Sequence, residues 1–549
     1  MTSPTRMFAL TFALAALFLL TGLGWAPLID WDENIYAEVA RQIVERGDPF
    51  HLWVNGQPFV EKPPLFMWEA ALSFLLFGVN EAAARLPSAL NGLLLMAMLA
   101  WMGRRLGGPR LAWLWPVMYG ASLLPLIYTR TSVTDHTFNT YLTVGALALL
   151  GYDEAWRKGG RKADFGPVLG WMTLAAMAMG AAVLVKGPLG GVIPLVAFGS
   201  SRLAARDFKL CLPHALYVGA LSLAIASAWY VGNYLEQGPV FVAGFSRFQG
   251  QLFSTPLDGH TGPVYYHVLV ALGGLFPWVA AALVGLGKHQ RAWLWAPDRR
   301  RLVGWALGWV VFVQVLFAMV QTKLPHYSAS MYIPLSLLAA LVLSRLEEEA
   351  RPLPGWAAWF MGLYGAALGL GLAWLPFGLA ALAVGQGYGL TPSPHTPWWG
   401  ALPGLALAAG IALGAWRLAR GRIRQGVAVA AVTMGLLGLG LWRVHLPLFA
   451  AYNQGPLLTM MARAYTAEGD LALYNHVSFA ALFYGQRDIP MLNTYKFTAD
   501  PQLLRKTPPR DLYVITRTPA EASLRDENPR LEKLDANGGF VLYKLPANK

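Results

Sequence analysis

The stretch IDWDENIYAEVARQIVERGDPFHLWVNGQPFVEKPPL occupies residues 29–65 and separates the first two long apolar runs of the chain. It places four charged residues, Asp32, Glu33, Glu61 and Lys62, where a membrane protein usually carries a short polar turn. Charge at the edge of a membrane is costly unless it faces water, a partner or a ligand. The stretch therefore predicts the rim of an active site at the membrane surface.

Local patterns within this loop predict two helices that lie on the membrane. Apolar residues recur at helical spacing from Ile35 to Val44 and Gly47 follows as a stop, which predicts an amphipathic surface helix. Asp32 comes just before this helix, so it is also placed to cap the helix, the simpler structural interpretation. Two prolines after Lys62 fix the backbone at the start of a second interfacial helix. A lysine held there suits either a phosphate ligand or an anchor at the headgroups.

Composition identifies a membrane protein. Of 549 residues, 56% are hydrophobic and only 13% are charged, and the mean hydropathy is +0.42, which is more apolar surface than a soluble core can hide. In a membrane protein, the net charge of +13 is explained by basic residues in cytoplasmic loops and by their attraction to anionic lipids, rather than by a nucleic-acid partner. The single cysteine, Cys211, excludes an internal disulfide and a thiolate metal cluster.

The hydropathy pattern predicts an all-α polytopic protein with a small C-terminal α/β domain. Residues 1–446 form the membrane domain and 447–549 the soluble domain, in which LALYN, LYVIT and FVLYKL are expected strands. Thirteen windows are long and apolar enough to be transmembrane helices, the first being a retained span rather than a cleaved signal: 8–26, 83–103, 110–129, 136–152, 167–185, 187–200, 213–230, 266–286, 302–320, 327–343, 356–380, 399–416 and 426–446.

Arginine and lysine set the predicted orientation. Clusters such as 104–110, 157–162 and 417–424 fall on one side of the spans, while the opposite loops carry isolated cations. By the positive-inside rule the N-terminus is cytoplasmic, and the loop at 29–65 and the C-terminal domain are periplasmic. The chain is thus expected in a bacterial inner membrane.

Charged residues near the outer ends of spans are candidates for ligand binding. They are Arg130, Asp135, Lys186, Arg247 and Lys323, and each taken alone is equally well an interfacial anchor. Together with Lys62, the cations form an outward-facing set that a phosphate group would satisfy.

Ordered motifs along the membrane domain resemble one family. They are DEN.YAE.ARQ...RGD....VNGQPF.EKPPL.MW in the first loop, AARLPSAL at 83–90, TRTSVTDHTF at 129–138, VKGPLG at 185–190, RFQGQ to FPW at 247–278, and TKLPHYSASMYIPL at 322–335. This series resembles the bacterial aminoarabinose transferases, which belong to the protein O-mannosyltransferase-like, polyprenyl-phosphate-dependent glycosyltransferases of the GT-C fold. The C-terminal domain matches only in size and position.

The resemblance implies roles for individual residues. Asp32 matches an essential aspartate near the anomeric carbon, and Asp135 and Glu33 complete the expected acidic catalytic set. Lys62 matches the lysine that binds the donor phosphate. The other expected substrate-binding residues are Arg130, Lys186, Arg247, Lys323 and Tyr327.

The resemblance also implies a divalent metal, zinc or magnesium or manganese, held by Glu61 and a histidine. His260 is the preferred partner, followed by His267 and His326. No nucleotide site is expected, because neither a Walker loop nor a Rossmann glycine motif occurs. One departure is that Ile35 stands where several family members carry an arginine expected to contact phosphate or acceptor.

The function expected from these patterns is transfer of a sugar from a polyprenyl phosphate to a periplasmic envelope acceptor, such as lipid A or another lipid or glycan. The expected partners are this donor, the acceptor and membrane lipids, for a monomeric enzyme. Two alternatives are a flippase for lipid-linked sugars, which would require no acidic cluster, and a protein O-glycosyltransferase.

Overall fold

The computed structural model describes residues 4–159, 165–209, 211–385, 389–391, 396–494, 496–497 and 499–547. In chain order the helices are α1 (Pro4–Leu20), α2 (Asp32–Arg46), α3 (Leu65–Phe77), α4 (Glu81–Gly120), α5 (Leu123–Tyr128), α6 (Thr134–Gly159), α7 (Phe165–Lys186), α8 (Leu189–Ala204), α9 (Leu212–Gln237), α10 (Val240–Ser254), α11 (Tyr266–Gly274), α12 (Val279–Val284), α13 (Lys288–Leu294), α14 (Arg300–Met319), α15 (Tyr332–Glu348), α16 (Gly355–Gly385), α17 (Leu402–Ala419), α18 (Ile423–Gly440), α19 (Leu446–Asn453), α20 (Gly455–Thr466), α21 (Phe479–Gly485) and α22 (Glu521–Glu527). The strands are β1 (Trp53–Val54), β2 (Gln57–Pro58), β3 (Asp470–Tyr474), β4 (Met491–Leu492), β5 (Leu512–Arg517), β6 (Glu532–Asn537) and β7 (Phe540–Leu545).

The predicted polytopic helical fold is confirmed. Among the described residues, eight helices are long and apolar enough to cross a membrane, and the apolar helices Ala9–Leu20, Leu65–Phe77 and Leu189–Ala204 are shorter. The segment α4 consists of two helices that meet at a kink at Gly108, whose φ of 78° is not helical. The windows 83–103 and 110–129 therefore begin on separate helices, as predicted. The number thirteen stays a prediction, although every window falls on helical structure.

The first outer loop has the predicted pair of helices, α2 and α3, joined by the short hairpin of β1 and β2. Gly47 ends α2 with a φ of 65°, as expected for a glycine in this position. Helix α2 is buried along most of its length, Ile35 being 3% exposed. It lies inside the folded protein, beneath the C-terminal domain, rather than on an open membrane surface, because α21 packs against it.

The C-terminal domain contains the expected mixed α/β structure. Its five-stranded sheet has the order β4-β3-β5-β7-β6, with β3 parallel to β4 and β5, and β7 antiparallel to β5 and β6. The three predicted strands are β3, β5 and β7.

This domain is docked on the first outer loop by hydrogen bonds. The Asp30 carboxylate accepts from Ser478 Oγ at 2.6 Å and from the amides of Phe479 and Ala480 at 3.0 and 2.9 Å. The Asn55 side chain accepts from the amide of Ile489 at 2.8 Å and donates to its carbonyl at 3.0 Å. The loop is thus attached to the C-terminal domain by residues more than 400 positions away in sequence.

A buried ion pair attaches the same loop to helix α4 of the membrane domain. Arg85 of α4, fully buried, donates to both oxygens of Glu33 at 2.8 Å. Its guanidinium also donates to the carbonyls of Leu23, Ala26 and Pro27 at 2.7 to 2.8 Å. The pair therefore joins the chain after α1, the start of α2 and the start of α4.

Replacing Arg85 by methionine is expected to destabilise the protein by about 3–5 kcal/mol, because the Glu33 carboxylate is left buried without its counter-charge. Unfolding in detergent, followed by circular dichroism, measures the change. Arg104→Met, at an exposed position of the same helix, is the matched control. Equal stability of the two variants would contradict the role given to the pair.

Candidate active site

Charged side chains from five separate segments meet beside the start of α2. Asp32 is the first residue of α2, Lys62 lies in the loop before α3, Asp135 is in the first turn of α6, Lys186 ends α7, and His326 lies in the 3₁₀ segment Pro325–Met331. His326 Nε2 is 3.9 Å from Asp32 Oδ2. The sequence motifs at 29–65, 129–138, 185–190 and 322–335 thus lie close together in space, which the sequence order alone does not show.

Asp135 and Lys186 form the buried ion pair of the cluster. Lys186 Nζ donates to Asp135 Oδ1, and the two side chains are 16% and 7% exposed, respectively. The ammonium lies 5.5 Å from the ring centroid of Tyr327 and 5.9 Å from that of Phe138, within the range of cation–π attraction. Lys186 is therefore held in one place by a carboxylate and two aromatic rings.

Lys62 is the cation of the cluster that lacks such a partner. Its side chain is buried, the residue being 7% exposed, and within the described ranges its ammonium forms no ion pair. Nζ donates to the carbonyl of Glu61 at 3.3 Å and lies 4.9 Å from the Phe248 ring centroid. Burial lowers the pKa of Lys62; the nearby charge of Glu61 opposes this, while Lys186 lowers the pKa further. An anionic ligand would remove this electrostatic cost.

Asp32 is the more accessible carboxylate of the cluster, with a side chain 38% exposed. The residue before it, Trp31, has a φ of 93° and a ψ of −113°, a strained conformation for a bulky residue. The α2 helix begins without a side-chain cap, so Asp32 does not serve as the N-cap that its sequence position allowed. Its carboxylate remains available to a reactant.

The expected metal ligands do not form a metal site in the part of the chain that the structure describes. No group of three His, Cys, Asp or Glu side chains there is arranged to hold an ion. Glu61 Oε1 is instead paired with Lys496 Nζ at 2.7 Å, His260 is exposed, and His267 is buried against Ser328. Glu61 is thus engaged by Lys496, so no catalytic step is assigned to a metal, and the metal at Glu61 and His260 stays a prediction.

Several other predicted site residues serve the fold. Arg130 donates to main-chain carbonyls at the end of α1, including that of Thr21 at 2.8 Å, and Glu33 is fully engaged by Arg85 and the Ser132 amide. Lys323 Nζ donates to the carbonyls of Phe317 and Ala318 at 2.8 Å, at the end of α14. Arg247 is exposed on α10. For these four residues, substrate or catalytic roles stay predictions that the observed contacts do not support.

Two residues near the site were not predicted from the sequence. Asp30 anchors the C-terminal domain, and Lys496 neutralises Glu61 next to the site lysine. Lys496 lies 435 residues from Glu61, and pairing over such a separation has no local pattern in a single sequence. The acidic character of Asp30 was visible, but its partner was not.

Comparison with known proteins shows similarity to membrane glycosyltransferases. A family model described as dolichyl-phosphate-mannose-protein mannosyltransferase matches residues 61–231. An undecaprenyl phosphate-alpha-4-amino-4-deoxy-L-arabinose arabinosyl transferase of Edwardsiella ictaluri is 28% identical, over 74% of this chain and 70% of that protein. The protein of the same name from Aeromonas salmonicida is 27% identical, over 64% of this chain and 62% of its own length. The chain is thus similar in sequence to aminoarabinose transferases over 64% to 74% of its length. These alignments span about two thirds of the relatives' length.

Solved structures extend the similarity of fold to the whole chain. ArnT from Cupriavidus metallidurans bound to undecaprenyl phosphate superimposes over 100% of both chains, with a TM-score of 0.80 at 23% identity. The oligosaccharyltransferase of Archaeoglobus fulgidus in the apo form gives a TM-score of 0.51 at 12% identity, over 96% of this chain and 73% of that one. The predicted fold of a multi-pass, GT-C-type membrane protein is thereby confirmed.

A double-mutant cycle tests the buried Asp135–Lys186 pair. Asp135→Asn or Lys186→Met alone leaves the other charge buried and unpaired. The double variant is therefore expected to be less destabilised than the sum of the two single variants, with a coupling energy of about 1–3 kcal/mol. The free energy of unfolding of both single variants and the double variant measures this. A coupling near zero would show that the two side chains do not depend on each other.

Proposed function

We propose that the enzyme transfers a sugar from a polyprenyl-phosphate donor to an acceptor on the periplasmic side of the bacterial inner membrane. The observation that carries this is Lys62, a buried lysine without an ion-pair partner among the described residues, beside a second lysine already held by Asp135. A donor phosphate supplies the missing negative charge. The names of the relatives, which contain undecaprenyl phosphate, support the same donor class.

Each residue of the cluster has its own role in the proposed inverting transfer. Lys62, assisted by Lys186, stabilises the negative charge that develops on the leaving polyprenyl phosphate. Asp32 orients the acceptor oxygen and, for a hydroxyl acceptor, takes its proton as the oxygen attacks the anomeric carbon. The bond from that carbon to the phosphate oxygen breaks, and the bond electrons leave with the phosphate. His326, 3.9 Å from Asp32, helps to hold the carboxylate.

The donor sugar is proposed to be a pentose or hexose, with 4-amino-4-deoxy-L-arabinose as the first candidate because the relatives are named for it. Ile35 marks a difference in the acceptor or phosphate contacts. Its side chain is 3% exposed in the core under the loop, so this position offers no polar group. The acceptor is proposed to be lipid A or another envelope lipid or glycan. The enzyme is proposed to act as a monomer, with a cytoplasmic N-terminus and a periplasmic C-terminal domain.

Replacement of Lys62 by methionine is expected to weaken donor binding by about 10- to 100-fold, because one charge-assisted contact to the phosphate is lost. Binding of a radiolabelled polyprenyl-phosphate sugar to purified protein in nanodiscs measures the loss. Lys62→Arg keeps the charge and is expected to retain more affinity than the methionine variant. Unchanged binding by Lys62→Met would contradict the proposed donor site.

Asp32→Asn is expected to bind the same donor normally but to lower kcat by about 10²- to 10⁴-fold, since the amide cannot take a proton. Transfer of the labelled sugar to extracted envelope lipids and glycans gives the rate, and Arg104→Met is the control. A lipid-linked sugar flippase would move the label across the membrane without forming any new glycosidic product, even in the wild-type protein. That result would contradict the proposed function.

A further inference from the structure

An apolar cavity of about 370 Å³ lies between α1, the part of α4 after Gly108 and α18. Most of its lining comes from residues 10–19, 113–121 and 424–435. The lining is apolar except for Thr11 and for two polar residues that lie together at one end, Arg424 and Gln425. None of the lining residues belongs to the charged cluster around Asp32, so the cavity has no part in the function proposed above.

The length of the cavity fits one leaflet of a bilayer. It follows α1 from Leu10 to Leu19 and α18 from Arg424 to Gly435, which is about 14 to 17 Å at a rise of about 1.5 Å per helical residue. The hydrocarbon core of a membrane is about 30 Å thick. The cavity therefore extends roughly from one membrane surface to the midplane, the depth that a phospholipid acyl chain occupies.

The cavity is open to lipid along α18 and closed at its inner end. Arg424, Ala428 and Val432 follow one another at intervals of four residues, the spacing of one helix face, and all three are exposed. At the opposite end, Gly435 has no room for a side chain, because a Cβ atom there would lie 2.4 Å from the ring of Phe18. A linear apolar chain can thus enter from the membrane and end against this ring.

The polar end of the cavity is basic. The turn between α17 and α18 has no acidic residue and carries four arginines: Arg417, Arg420, Arg422 and Arg424. Among the residues that the structure describes, only Arg424 of the four has a carboxylate partner, Glu347 at 2.6 Å, and its side chain is still 49% exposed. Arg417 and Arg420 lie 5.0 and 5.2 Å from the ring centroid of Trp416. Arginine beside an exposed tryptophan is typical of the level of lipid headgroups, so this end attracts an anionic headgroup.

We propose that the cavity binds one acyl chain of an anionic phospholipid, with the lipid phosphate at Arg424 and the neighbouring arginines. The arginine end of α18 points away from the C-terminal domain, toward which the chain continues after α18. The lipid therefore belongs to the leaflet opposite to the one that presents a donor phosphate to Lys62, and it is not the donor. The inference goes beyond the proposed function and does not depend on it.

Native mass spectrometry of the full-length protein in detergent tests the site with dioleoylphosphatidylglycerol, dioleoylphosphatidylcholine and glycerol 3-phosphate as probes. The wild-type protein is expected to retain one phosphatidylglycerol at least about tenfold more tightly than phosphatidylcholine, because the choline group cancels the phosphate charge that the arginines attract. Glycerol 3-phosphate has the charge without an acyl chain and is expected not to compete.

Arg424→Gln tests the charge at the cavity end. It is expected to weaken phosphatidylglycerol binding about fivefold, in line with the loss of one cation beside an anionic headgroup. Arg157→Gln is the matched control, since Arg157 is 46% exposed and pairs with the buried carboxylate of Asp153 at 3.0 Å, and it is expected to bind as the wild type does.

Ala428→Trp tests the shape of the cavity. The indole ring would occupy the space of the acyl chain, and the variant is expected to lose the retained phosphatidylglycerol. Ala409→Trp, at an exposed position of α17 outside the cavity, is the control and is expected to keep the lipid. Circular dichroism checks that both variants are folded.

The inference is overturned if phosphatidylcholine is retained as tightly as phosphatidylglycerol, or if folded Ala428→Trp retains phosphatidylglycerol as the wild type does. It is also overturned if undecaprenyl phosphate displaces the phosphatidylglycerol, because the cavity then holds the tail of the donor. Retention of both lipids by one protein molecule supports it. If Ala428→Trp does not fold, equal binding by Arg424→Gln and Arg157→Gln is the result that overturns it.

Discussion

The buried pair of Glu33 and Arg85 is the constraint on which the site depends. Removing two charges from water is costly, and the cost is repaid here because every donor and acceptor of the pair is used: Arg85 also binds three carbonyls, and Glu33 also accepts from the Ser132 amide at 2.9 Å. Glu33 follows Asp32, and Ser132 lies three residues before Asp135. One structural pair therefore sets the relative positions of both acidic residues of the site.

Charge balance then distinguishes the two lysines. Lys186 is neutralised by Asp135, whereas the carboxylate next to Lys62, Glu61, is drawn to Lys496 of the C-terminal domain. Lys62 thus keeps its positive potential in a buried place, which is what stabilisation of a leaving phosphate requires, because fixed charges need no rearrangement as the reaction proceeds. The C-terminal domain thus contributes to the electrostatic environment of Lys62 through Lys496.

Hydropathy and loop motifs were sufficient for the polytopic fold, the pair of loop helices and the strands of the C-terminal domain, because those patterns are local. They also singled out Asp32, Lys62, Asp135 and Lys186, which lie together in the structure. Arg130 and Lys323 were predicted to bind substrate because a charged residue at membrane depth is often functional. In the structure, each donates to main-chain carbonyls at the end of a helix, where the carbonyls have no partner within the helix. The sequence does not show which helix end lies next to a given cation.

The first outer loop is attached to the C-terminal domain at several points, and this attachment links the positions of Asp32 and Lys62. Asp30, near the start of the loop, and Glu61, near its end, are both bonded to the C-terminal domain. Between them, Asn55 is bonded to Ile489. A displacement of the domain would therefore pull on both ends of the loop and alter the positions of Asp32 and Lys62 together. Because the attachment is made through several hydrogen bonds and an ion pair rather than a single contact, the C-terminal domain is part of the frame that positions these two residues.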